Sequence, residues 1–126
     1  MSNIKSFSYD EFISQFDNGN LNGIYVIVAG LMSYTGTVRL VDENSIIMDL
    51  PLKYYVGENV MYTPVVIGRE EVQEIKEIPI DGHIEIDVKG GSKIIGDISD
   101  NFPNKITLST ENGMETVYYQ DIVNCS

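Results

Sequence analysis

The first apolar rhythm in the chain is helical. Tyr9, Phe12, Ile13 and Phe16 recur at three- and four-residue intervals with polar residues between them, the spacing that lines one face of an α-helix. Ser8 and Glu11 occupy the two positions of a capping box. The Ser8 hydroxyl can accept from the Glu11 amide while the Glu11 carboxylate reaches back to the Ser8 amide. Asp10 and Glu11 suit the positive end of the helix dipole, and Asn18-Gly19-Asn20 supplies a left-handed stop. A short amphipathic helix over 9–18 follows, with Phe12 and Phe16 as core residues.

After Gly23 the pattern changes to that of strands. Ile24, Val26 and Val28 alternate with Tyr25, Ile27 and Ala29, and both sets are largely apolar. That suits a strand covered on both faces, by a barrel interior on one side and the helix on the other. Residues 34–41 form a second strand whose internal Gly36 signals sharp curvature or close backbone approach. Asp42-Glu43-Asn44 is a turn, and 45–50 is a third strand ended by Pro51. Residues 52–59 have little periodicity and read as a loop. Residues 60–67 are strand-like, with Pro64 implying an edge position or a bulge. In 69–78, Val72, Ile75 and Ile78 recur every third residue, which fits a short helix or a 3₁₀ turn leading into a strand. Residues 79–82 form a joint.

Beyond the joint the alternation is clear. Ile84, Ile86 and Val88 face one way and His83, Glu85 and Asp87 the other. Gly90-Gly91 is a hairpin signal, 92–99 is the partner strand with Gly96 inside it, and 100–104 is a turn. A strand at 106–109, the turn Glu111-Asn112-Gly113, a strand at 114–119 and a last short run at 122–123 complete the chain. Roughly nine or ten short strands with regular turn signals mean an all-β sandwich or barrel preceded by one helix.

The two halves can be laid over each other. The run 25–30, the strand with Gly36, the turn 42–44 and Ile46-Ile47-Met48 match 84–91, the strand with Gly96, Asp100-Asn101 and Ile106-Thr107-Leu108. Each half then ends on an apolar strand, a polar turn and a short apolar strand. This correspondence favours turn plus strand at 69–78. It divides the chain into the helix with a first half, 1–80, and a second half, 81–126.

The repeated layout resembles the Sm-like small β-barrel, whose five bent strands follow an N-terminal helix. The run 88–98, Val-Lys-Gly-Gly-Ser-Lys-Ile-Ile-Gly-Asp-Ile, is similar to that family's first motif, a strand, a Gly turn and a Gly that bends the second strand. Val66-Ile67-Gly68-Arg69-Glu70 is similar to its second motif with Gly and Arg reversed, and Val117-Tyr118-Tyr119-Gln120-Asp121 stands in that place with neither. SH3-like barrels share much of the same pattern. The resemblance implies two small five-stranded barrels or one fused β structure. It also implies rings built by β-strand addition, with single-stranded RNA bound at loops corresponding to 42–44 with 68–69 and 100–104 with 119–121.

Charge works against the RNA reading. The 126 residues carry 8 basic and 19 acidic side chains, a net charge of −11. Residues 1–80 hold 5 and 11 of them, and 81–126 hold 3 and 8, so neither half is a basic module. Affinity for a phosphate backbone comes from Lys and Arg. A single cysteine, Cys125, excludes an internal disulfide and a cysteine-based zinc site, and one histidine, His83, excludes a site needing two. No apolar run reaches the length of a membrane-spanning helix, and a cytoplasmic location is the default expectation.

Candidate chemistry is thin. His83, Glu85 and Asp87 share one strand face at a spacing too long for easy metal sharing. Glu70, Glu71, Glu74 and Glu77 lack a calcium-loop pattern. No phosphate loop, dinucleotide fingerprint or nucleophile elbow is present, so the expectation is a non-enzymatic protein without metal or cofactor. Tyrosines offer large contact area at low rotamer cost. The candidate contact residues are therefore Asn44, Tyr54, Tyr55, Tyr62, Arg69, Asn101, Tyr118 and Tyr119. The expected function is a binding or assembly module with an acidic surface, its partner a second copy, a basic protein or both. One alternative is a phage-type inhibitor of a nucleic-acid enzyme or defence system, acting as an acidic decoy or by sequestering a small nucleotide. The other is single-stranded RNA binding through Arg69.

Overall fold

The computed structural model describes residues 4–101 and 104–126, and the side chains of these except at positions 53–55 and 60. Strand β1 (Lys5–Phe7) precedes helix α1 (Tyr9–Asp17). The capping box forms as expected: the Glu11 amide donates to the Ser8 hydroxyl at 3.2 Å, and the Ser8 amide donates to the Glu11 carboxylate at 3.1 Å. These bonds hold the Glu11 carboxyl below its ordinary range. Gly19 ends the helix at φ +72°, a conformation most other residues avoid. The Phe12 ring meets Tyr25 edge-on at 5.2 Å and Phe7 at 5.6 Å, locking the helix onto the sheet.

The first half continues with β2 (Ile24–Ala29), β3 (Met32–Val41), β4 (Ser45–Val56), β5 (Asn59–Gly68), a 3₁₀ turn at Arg69–Glu71 and β6 (Val72–Ile78). The second half has β7 (His83–Val88), β8 (Lys93–Asn101), β9 (Lys105–Thr110), β10 (Gly113–Tyr118), a 3₁₀ turn at Tyr119–Asp121 and β11 (Ile122–Cys125). Every pairing is antiparallel. One sheet runs β1-β6-β2-β3-β4-β5 and the other β10-β9-β8-β7-β11. Read from its β11 edge, the second sheet has the strand order that β6-β2-β3-β4-β5 has in the first.

The expected five-stranded barrels are open sheets, so of the two architectures the fused β structure is the one observed. In the first sheet, β1 takes the outer side of β6 with Lys5 opposite Glu77 and Phe7 opposite Ile75. That leaves β6 no edge with which to meet β5. β1 has too few residues to show a period in the sequence. The expected loop at 52–59 is instead the continuation of β4 into a hairpin with β5. Pro51 does not end the strand, because it falls where the register shifts between Leu50 and Lys53 and the bulge accommodates it. Of the expected turn at 100–104, Asp100 and Asn101 instead still pair with β9, and 102–103 lie outside the described residues.

Gly36 and Gly96 hold equivalent places. A β-carbon on either would lie 2.4 Å from a backbone carbonyl oxygen of the next strand, that of Asp49 or of Ser109. At both places the next strand's backbone approaches as closely as only a residue without a side chain allows.

Strand β2 is buried on both faces, though not in the way its pattern suggested. Tyr25, Ile27 and Ala29 share one core with Phe12, Ile46, Met48, Ile67 and Ile75, so helix and sheet interior lie on the same side. Val26, on the other face, belongs to a second core with Ile84, Ile86, Ile106, Leu108, Tyr119 and Ile122. The second half thus covers the back of the first. A polar clasp closes the seam: the Lys76 ammonium donates to the Asn124 side chain at 3.0 Å and the Cys125 carbonyl at 2.9 Å, and the Asn124 amide donates to Glu74 at 2.9 Å.

Candidate functional site

The structure sorts the candidate residues into two corners, an edge and a cleft. In the first corner the Asp42 carboxylate accepts from the amides of Asn44 and Ser45 at 2.8 and 2.9 Å, an Asx turn that shapes the β3–β4 connection. The Arg69 amide donates to the Asn44 carbonyl at 3.0 Å, so sequence-distant Asn44 and Arg69 do meet. The guanidinium is engaged within the chain. It pairs with Asp10 at 2.8 Å, reaches the Glu43 carbonyl at 3.4 Å and lies 4.5 Å above the Tyr9 ring. The Tyr9 hydroxyl donates to the Asp42 carbonyl at 2.9 Å, and burial, then Asp42, raises its pKa against the opposing pull of Arg69. Arg69 therefore fastens the start of α1 to the turn. Its ion pair is exposed and contributes about 0–1 kcal/mol, with a similar amount from the ring contact.

The second corner repeats the backbone bond. The Tyr119 amide donates to the Asn104 carbonyl at 3.0 Å, as Arg69 does to Asn44. Tyr119 itself is buried and its phenol donates to the Asn101 side-chain oxygen. Desolvation pushes the phenol up to about 12. Asn101 and Tyr119 are thus brought together as a buried polar pair. Tyr118 points the other way, 46% exposed on β10 with the Lys105 ammonium 5.9 Å above its ring.

Tyr62 stands apart from both corners. It is 43% exposed and lines a cleft of about 340 Å³ with Ile24, Gly36, Thr37, Asp49 and Pro51. Tyr54 and Tyr55 sit on β4 opposite Met61 and Val60, but their side chains lie outside the described residues.

The charged face of β7 is tied up across strands. His83 lies 3.0 Å from Asp97, and Lys93 lies 3.6 Å from Glu85 and 3.7 Å from Asp87. Cys125 is buried in the seam, where desolvation pushes its thiol up to about 11 against the opposing pull of Lys76.

Strand β5 lies at the edge of its sheet, one of the two positions that Pro64 implied. Its ten residues, 59–68, contain no Asp, Glu, Lys or Arg. Met61, Tyr62 and Val66 are exposed along it. Natural edge strands are ordinarily blunted by charge, and the absence of charge was legible in the sequence once β5 is known to be an edge.

No family model, curated protein or solved structure matches the chain.

Proposed function

We propose that this protein is a non-enzymatic assembly module whose copies join through strand β5. The observation that carries the reading is the ten-residue uncharged edge on a chain of net charge −11. An unpaired edge offers a row of amides and carbonyls to any extended partner. Two copies meeting antiparallel at β5 place no carboxylates of that strand opposite one another. The same pairing at β10 would bring Glu115 from each copy to the interface, where facing like charges destabilise. Pro64 is compatible with this position, since prolines in sheets are confined to edges, first residues and bulges. Val66, 65% exposed, supplies apolar area at the edge.

The matching strand orders, the paired glycines and the two 3₁₀ turns support a duplicated unit of the Sm-like or SH3-like kind. The RNA reading of that resemblance is disfavoured by Arg69, whose guanidinium is already committed to Asp10, Glu43 and Tyr9.

Light scattering after size exclusion tests the assembly. The wild-type chain should elute at twice the monomer mass or more, and Val66→Lys should elute as a monomer with a native circular dichroism spectrum and a melting temperature independent of protein concentration. A wild-type chain that stays monomeric at high concentration, or a V66K variant of unchanged mass, refutes the reading.

A further inference from the structure

Where the two halves meet, a second cleft of about 210 Å³ opens on the far side of Pro51, walled by Met32, Tyr34, Thr35 and Leu50 from the first half and by Lys89 and Gln120 from the second. Four observations set it apart. Thr35 is 3% exposed, and its hydroxyl is the one buried side-chain polar atom among the described residues without a hydrogen-bond partner. Buried polar groups are nearly always paired, so an orphan marks a group whose partner is absent. Lys89 forms no ion pair among the described residues, although acidic side chains outnumber basic ones by 19 to 8. The β4 bulge at Leu50–Lys53 borders the cleft, and bulges concentrate beside functional sites. Finally, the cleft lies on a seam between packed units, a favoured place for small ligands.

We propose that this cleft binds a small carboxylate carried on a single apolar ring. The Lys89 ammonium supplies the charge for the carboxylate. The Thr35 hydroxyl, unpaired in the cleft wall, donates to it, which ends its unpaired state. Met32, Tyr34, Leu50 and Pro51 cover the ring. The size follows from the volume: drug-sized ligands occupy about 300–1,000 Å³, whereas a cavity of about 150 Å³ accommodates benzene. The site does not depend on assembly through β5, so the V66K monomer serves equally well as the protein tested.

Nuclear magnetic resonance titration with benzoate, benzamide and acetate tests the site. Benzoate at millimolar concentration should shift the amides of 32–35, 50–52, 89 and 120 and the Thr35 methyl. Benzamide, which lacks the charge, and acetate, which lacks the ring, should each bind at least about tenfold more weakly, the change expected for losing a charge-assisted bond or a buried ring. Lys89→Met should remove the preference for benzoate over benzamide. Thr35→Val, which keeps the shape and deletes the hydroxyl, should weaken benzoate several-fold while the ligand-free protein melts no lower. Absence of benzoate shifts in this cleft, equal binding of benzoate and benzamide, or unchanged benzoate affinity in T35V overturns the proposal.

Discussion

Alanine at Gly36 or Gly96 tests the close strand approach that the two sheets share. The new β-carbon would sit 2.4 Å from the Asp49 carbonyl oxygen in one case and the Ser109 oxygen in the other. Carbon–oxygen contacts between strands are ordinarily about 3.3–3.6 Å, so β3 and β4, or β8 and β9, must part locally by roughly 1 Å. A ladder bond of about 2.9 Å stretched by that amount is no longer a hydrogen bond. Loss of two or three such bonds, at roughly 1 kcal/mol each, gives about 3 kcal/mol for either variant. With an unfolding entropy near 2.1 cal/mol/K per residue, that is a fall in melting temperature of about 11 °C for a chain of this length. Because Val26 and Ile78 of the first half are buried in the second half's core, damage to either half should lower one common transition. Circular dichroism melts and urea titrations of both variants provide the measurement. A shift under about 2 °C would mean the strands yield without cost. Two separate transitions would refute the shared core.

Two further perturbations address the seam. Lys76→Met removes the donor to Asn124 and the Cys125 carbonyl and should cost about 1–3 kcal/mol in urea unfolding through the unpaired acceptors it leaves; a neutral result would show that the clasp adds nothing. For Cys125, burial raises the thiol from 9.0 to about 11. The folded state therefore favours the neutral thiol, and its stabilising effect is complete below pH 9 and is lost as pH rises toward 11. Native protein should resist alkylation at pH 8 and react promptly in urea, with Cys125→Ala removing part of the alkaline loss of stability. Rapid alkylation of the native chain would contradict the burial.

The local elements of this fold are written in short stretches of sequence. The capping box at Ser8 and Glu11, the alternation in 24–29 and 83–88, and the two internal glycines each specify their element within a turn or a strand. The places where expectation and structure part are those where a residue's meaning depends on a distant neighbour. Pro51 reads as a strand end and 52–59 as a loop, yet a bulge absorbs the proline and the loop is a strand that turns tightly at Gly57. Tyr118 and Tyr119 are adjacent, and opposite fates were foreseeable for neighbours in the expected strand 114–119, although Tyr119 in fact opens a 3₁₀ turn. That Tyr119 pairs with Asn101 was not foreseeable. Nothing near Arg69 announces that Asp10, 59 residues earlier, takes its charge.

By itself the sequence determined the helix, most of the strands and the net charge, because each follows from local periodicity, turn chemistry or composition. Tertiary structure alone decided that both sheets stay open, the first because β1 takes the edge a closure would need. It also decided that the second half packs on the outer face of β2, and that of the edge and the bulge Pro64 allowed, β5 takes the edge. Those outcomes depend on which edges and faces compete for the same partner, a contest between segments far apart in the chain.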